Sequence, residues 1–404
     1  MPVFKRDFIL LGLLLLMLAG CLWSRALLSV STILFVAVAC LHSGVLLQVK
    51  NAFSGILTCS IMLLFFIPFI SGLWSSDIIT WKEVMLDKLP FLFLPIAFSR
   101  EWKINGDQWK LFALMVILFL LVATFWSTGQ YFLSKKMIDK SYLQSKLIPV
   151  PIFGDHIRFS WLVCAGFITS IFLAEKAGYT KHRIFYFAVA LWFFVYLHLL
   201  AARTGLIGCY IFIFLWGMSL LFKKGMKSKY SLMLLVLAAI VITAWFFFPT
   251  LKNRISYMKY NLSFITKNEY LPHSNDGNRM LSLKAGWAIL KENPLGVGAG
   301  DVKTEVSKWY DTHTKEVSDQ DKIFPSNEWL IHGDTTGWPG ALIFTIAFFA
   351  PLFKLIKEEW VFIIGLYMAA FIACFFDSSL EVQPGVFIYS FVTLWWSKWV
   401  SASH

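Results

Sequence analysis

The chain has 404 residues, of which 58% are hydrophobic, 18% aromatic and 15% charged, and its mean hydropathy is +0.67. A soluble domain carries about 25% charged residues, so soluble enzymes, disordered tails and nucleic-acid modules are excluded, and no nucleic-acid partner is expected. The formal charge of +12 reads first as lysines and arginines placed in cytoplasmic loops.

About 20 apolar residues span a bilayer as a helix. That length fits near 7–23, 26–41, 52–73, 85–99, 109–133, 157–174, 184–201, 204–222, 230–249, 338–356, 360–376 and 384–400. The expected fold is therefore an all-α polytopic membrane protein with about twelve transmembrane helices. Lys5-Arg6 and Leu18-Ala19-Gly20-Cys21 imitate a lipoprotein leader, but the next apolar run begins at Ala26, which favours a first membrane helix. The fourth run carries Pro90 and Pro95, which predicts a broken or re-entrant helix. Cysteines 21, 40, 59, 164, 209 and 374 all lie in apolar runs and read as small buried hydrophobes.

Orientation follows from the basic residues of short loops. With the N-terminus inside, 16 lysines and arginines fall in inner segments and nine in short outer ones. Both termini are thus expected in the cytoplasm. The other 11 sit between Leu251 and Gly337, on a long loop expected outside. The chain divides into spans one to nine over 1–250, this loop over 251–337, and spans ten to twelve over 338–404.

The loop opens with Lys252, Arg254, Tyr257 and Tyr260 and turns at Pro272. Asp276-Gly277-Asn278 offers a helix start, and Met280, Leu283, Trp287 and Leu290 follow at helical spacing. This predicts an amphipathic helix lying on the outer membrane surface, stopped by Pro294. Leu295-Gly296-Val297-Gly298-Ala299-Gly300 then reads as a flexible turn.

Four cations fall on one side of the membrane in this layout. Arg203 lies at the outer end of two spans, where an arginine marks a function, a pairing or a snorkelling anchor. Arg279, expected in the first turn of the loop helix, opposes the helix dipole unless an anion binds there. Lys88 and Arg158 enter the fourth and sixth spans from the same side, as interfacial anchors or as further anion ligands. Together the four would form the cationic cavity that a lipid-borne diphosphate requires. Ser326, Asn327, Glu328, His332 and Asp334 precede the tenth span, and such groups can position an acceptor hydroxyl and take its proton. His313 is a weaker upstream candidate, and no metal-ligand spacing stands out, so no metal or cofactor is expected.

This plan resembles the O-antigen ligase and polymerase superfamily, membrane glycosyltransferases of the GT-C type. Ala202-Arg203-Thr204-Gly205 is similar to the family's Ser-Arg-Ser/Thr-Gly element. Arg279, Trp287-Ala288 and Asn293-Pro294-Leu295-Gly296-Val297-Gly298 resemble its Arg…Trp-x-x-Ala…Pro-x-x-Gly-x-Gly stretch. Pro325-Ser326-Asn327-Glu328-Trp329-Leu330 with Gly337 and Gly340 is similar to Pro-His-Asn-x-aromatic-Leu…Gly-x-x-Gly.

The resemblance implies glycan transfer on the periplasmic face of a bacterial inner membrane, without a metal and with inversion. The implied donor is a glycan on undecaprenyl diphosphate, gripped by Arg203 and Arg279. The acceptor would be lipid A-core, another glycan or another hydroxyl. The family histidine falls on Ser326 here, which leaves His332, Glu328 or His313 as the base, or no base at all. The family acid falls on Thr335, beside Asp334. A repeat-unit polymerase differs from a ligase in acceptor and fits the same sequence. A lipid-linked glycan flippase fits less well, because no internal repeat is visible.

Overall fold

The computed structural model describes residues 3–142, 147–152, 155–224, 249–267, 274–314, 317–355 and 359–402. Among these the regular elements are all helical. Seven of the described helices are long and apolar enough to cross a membrane, or eight spans if one bent pair counts as a single span. The expected ninth span near 230–249 lies outside the described residues apart from Pro249, as does Pro272.

The chain forms two compact units. The first comprises residues 1–112, 264–355 and 374–404. It opens with α1 (Val3–Trp23) and α2 (Arg25–Cys40), which pack together. A bend of 109° then leads into α3 (Val45–Ser54). Sequence reading leaves this short helix unassigned because Gln48, Lys50 and Asn51 interrupt its apolar run. α4 (Ile56–Ile70) and α5 (Ile78–Phe98) follow.

α5 departs from expectation. It is one continuous helix with both Pro90 and Pro95 inside. Each proline removes one donor, a cost of ~3 kcal/mol in an isolated helix. Here the helix is held along its length by α2, α3, α4 and the last helix, α16 (Gln383–Ala402). Phe91 and Phe98 are fully buried, and Phe91 meets Tyr389 of α16 edge-on at 6.1 Å. At the other end, Arg100 bonds Asp7 of α1 at 2.8 Å in a buried ion pair.

The second unit comprises 113–263 and 356–373. It takes most of α6 (Gly106–Leu133), the short α7 (Lys135–Ser141), α8 (His156–Lys176), α9 (Thr180–Leu200), α10 (Arg203–Lys224) and nearly all of α11 (Pro249–Lys267). Every residue of α8 from Arg158 to Ala174 is buried. Such a helix has no polar face to offer water, and α9 and α10 both pack on it. Cys164 and Cys209 are buried with their sulfurs 3.4 Å apart, and all six cysteines are free.

Back in the first unit, α12 (Asn275–Glu292) and α13 (Val302–His313) pack around Ala285, Ile289, Val302, Val306, Tyr310 and Val317. α12 also lies against α14 (Glu328–Leu355), which itself packs on α4. The buried face of α12 is made of Asn278, Ser282, Ala285, Gly286, Ile289 and Leu290. Glycine is needed at position 286, since a Cβ there would come within 2.9 Å of Pro325. Of the apolar positions at helical spacing, Met280 and Trp287 are exposed, whereas Leu290 is buried. The remaining helix is α15 (Trp360–Phe376), 17 residues long.

Candidate functional site

The glycine-rich stretch after α12 is a clip. Val297 donates to the Asp334 carbonyl at 2.7 Å and Gly298 to that of Thr335 at 3.0 Å, while Trp338 donates back to Pro294 at 3.0 Å. Ala299 and Gly300 donate to the hydroxyls of Ser71 and Ser75. The expected flexible turn is therefore tied down on both sides. α14 breaks at Thr336 and Gly337 to receive it. A Cβ on Gly296 would meet Thr335 backbone at 2.5 Å, and one on Gly298 would meet Ser75 at 2.4 Å. Both glycines also hold positive φ, +80° and +95°, a region that only glycine adopts without strain.

The clip holds α14 at its break, just after the first turns that carry most of the expected polar residues. Asn327 caps this helix by accepting from Leu330 N–H, and its amide donates to the Phe375 carbonyl at 2.9 Å. Glu328 is fully buried and accepts from Leu380 N–H at 2.5 Å. One turn on, His332 lies with Nε2 at 3.9 Å from Glu328 Oε2, and its ring stacks on Phe344 at 4.2 Å between centroids. Neither ring nitrogen of His332 has a hydrogen-bond partner among the described residues. The imidazole thus lies buried beside the Glu328 carboxylate with both ring nitrogens unpaired among the described residues.

Lys88 joins this cluster from α5. Its side chain is 2% exposed, and Nζ donates to Glu381 Oε1 at 2.6 Å and to the Leu380 carbonyl at 3.3 Å. Arg279 reaches the same segment, with Nη2 at 3.5 Å from Asp377 Oδ1. Ser326 is buried, donating its N–H to Ser282 Oγ and accepting from that hydroxyl at 3.1 Å. Asp334 is fully buried, and neither carboxyl oxygen has a partner among the described residues.

The residues that sequence reading missed are thus Asp377, Leu380 and Glu381, in the short link between α15 and α16. Lys88, Arg279, Asn327 and Glu328 all bond to residues of the 375–381 stretch. His313 is different. It ends α13, is exposed, and stacks on Trp309 of its own helix at 4.7 Å.

Arg279 also differs in helix position. Ser274, not Asp276, caps α12, its hydroxyl accepting from Gly277 N–H. The helix therefore starts at Asn275 and Arg279 falls in its second turn, so the expected conflict with the first-turn dipole is weaker.

In the second unit, Arg203 is the first residue of α10, directly after a corner where Ala201 holds φ +52°. Its Nη1 lies 3.4 Å from Met258 Sδ. The neighbouring Thr204 hydroxyl meets that of Ser160 at 3.1 Å. A Cβ on Gly205 would come within 2.6 Å of the Ser160 carbonyl, so glycine lets α10 approach α8. Arg158 is buried and bonds Asp155 at 2.6 Å, the residue that caps α8.

Glu328, His332 and Glu381 bring ligand atoms within 4.8 Å of one another. These are metal-ligating types, although sequence spacing alone points to no metal. The Lys88 ammonium on Glu381 already supplies positive charge at that carboxylate.

These features define an all-helical membrane protein with a buried acid–histidine pair at the head of one long apolar helix. Residues 187–345 match the family model described as O-antigen ligase. The matched segment contains the motifs around Arg203, Arg279 and Pro325. No curated protein matches the chain. The family supports glycosyltransferase activity of the ligase or polymerase kind in a membrane.

Proposed function

We propose that the protein transfers a glycan from undecaprenyl diphosphate to an acceptor hydroxyl at the periplasmic face of the inner membrane. The observation that carries this reading is the Glu328–His332 pair, 3.9 Å apart and inside the matched segment. Glu328 is tied at the same time to the 375–381 stretch that Arg279 reaches. His332 takes the proton of the acceptor hydroxyl at a ring nitrogen, with the Glu328 carboxylate beside it at 3.9 Å. The hydroxyl oxygen forms a bond to the anomeric carbon as the carbon–oxygen bond to the diphosphate breaks. One displacement of this kind inverts the anomeric centre.

Charge builds on the departing diphosphate, and we assign its stabilisation to Arg279 and, separately, to Arg203. Lys88 and Arg158 are more deeply buried than Arg279 and hold their carboxylates at 2.6 Å, against 3.5 Å for Arg279 and Asp377, so their proposed part is to anchor Glu381 and the start of α8. Ser326, Asn327 and Asp334 are assigned to positioning. No step in this scheme calls on a metal.

The test is transfer by purified, reconstituted protein from a lipid-linked glycan to its acceptor. Arg279→Ala and Arg203→Ala are each expected to lower the rate by about 10²–10³-fold, with Arg279→Lys between. His332→Ala is expected to lose roughly 10²–10⁴-fold and to change the pH profile. Full transfer by well-folded Arg279→Ala would overturn the donor assignment. Full transfer by His332→Ala would leave catalysis to positioning and leaving-group stabilisation.

A further inference from the structure

α12 presents Met280, Lys284, Trp287 and Lys291 on one exposed face, and exposed Pro294 and Leu295 continue it beyond the helix end. Trp287 is 48% exposed and Leu295 75% exposed. Apolar groups this open, in line and interleaved with lysines, are unusual on a surface facing only water.

What covers them is indicated by their neighbour. Trp287 meets Trp338 of α14 edge-on, with ring centroids 5.8 Å apart. Trp338 heads an exposed row on α14, continued at Leu342 and Ile346. α14 is one of the helices long and apolar enough to cross a membrane, so that row faces lipid. The α12 face is continuous with it through the tryptophan pair. Paired tryptophans beside exposed lysines, at the end of a lipid-facing row, are the composition of a headgroup layer. Glu292 is the one exposed acid on this stretch of α12, set against Lys284 and Lys291.

We propose that this face of α12 docks on the bilayer and binds anionic phospholipid. Met280, Trp287 and Leu295 enter the boundary of the acyl region. Lys284 and Lys291 pair with lipid phosphates, which places the opposite face, carrying Asn278 and Ser282, away from the lipid. The inference needs α14 as a membrane span but not the donor assignment of Arg279.

The experiment uses the full chain labelled with 5-fluorotryptophan, in nanodiscs of phosphatidylcholine with or without phosphatidylglycerol. Trp287→Phe, Trp338→Phe and Trp309→Phe assign three fluorine resonances. A nitroxide-bearing lipid is expected to broaden the Trp287 and Trp338 signals. A water-soluble gadolinium chelate should act mainly on Trp309. In native mass spectrometry, Lys284→Gln and Lys291→Gln should lower the preference for phosphatidylglycerol by roughly fivefold each. The proposal fails if the chelate broadens Trp287 as strongly as Trp309, or if neither agent reaches it, which would mean a protein partner. It also fails if lipid preference survives both substitutions, or if broadening by the nitroxide lipid requires added polyprenyl diphosphate. Glycan transfer plays no part in these readouts, so its failure and theirs are separable.

Discussion

Gly337 holds φ at +73°, and a Cβ there would sit 2.0 Å from the Pro294 carbonyl oxygen. Gly337→Ala meets both the backbone strain and the clash, and is expected to cost at least about 2 kcal/mol. Gly129, inside α6, has nothing within 4 Å of its missing Cβ. Gly129→Ala should therefore gain about 0.5–1 kcal/mol. Unfolding in detergent checks the pair, and equal effects of the two changes would refute the clip as a rigid element. The Lys88–Glu381 bond invites a double-mutant cycle. Lys88→Met alone leaves a mostly buried carboxylate without its cation and is expected to cost about 3 kcal/mol. Adding Glu381→Gln should recover much of that loss, and additive losses would mean that the two side chains act independently.

The basic half of the site was readable at this scale because lysine and arginine are rare in apolar sequence. Its acidic half was not. Counting cations to orient spans gives Asp377 and Glu381 no weight, and they occupy a short break between two apolar runs. Their partners lie 98 and 293 residues away in sequence. Only folding shows that Arg279 and Lys88 point at them.

At the level of elements, most helices were legible because their apolar runs come close to the bilayer length. The surprises came where a local signal met tertiary packing. Pro90 and Pro95 did not break α5, and of the periodic apolar positions of α12 Leu290 is packed inside while Met280 and Trp287 are exposed. The start of α5 carries a pH dependence. The Asp77 carboxyl lies below its ordinary value of 3.8 because the Thr80 N–H donates to it, with the Thr80 hydroxyl and the Ile79 N–H adding to the effect. A carboxyl depressed by folding adds stability above its ordinary pKa and loses it as pH falls through the folded value. The stability gap between wild type and Asp77→Asn should thus be full at neutral pH and close below about pH 3.8. A gap of constant size across that window would show that the cap acts through shape alone.

For the whole chain, the distribution of lysine and arginine predicts both termini in the cytoplasm and the 251–337 segment on the other side. A cysteine introduced at exposed Asp311 should react with an impermeant thiol reagent in intact spheroplasts, whereas one at exposed Ser401 should react only after lysis. The reverse pattern would invert the orientation and move the proposed chemistry to the cytoplasm. The Ser76 and Asp77 N–H groups at the head of α5 donate to the carboxylate of Asp301, which is 225 residues downstream of Ser76. At ~5–20 residues per second, the ribosome needs roughly 10 to 45 s to make that stretch. For all that time the head of α5 lacks this partner. The nascent protein must therefore hold its first helices in the membrane half-assembled until the distant loop has been made. Anything that shields them during that wait sets the yield of finished protein.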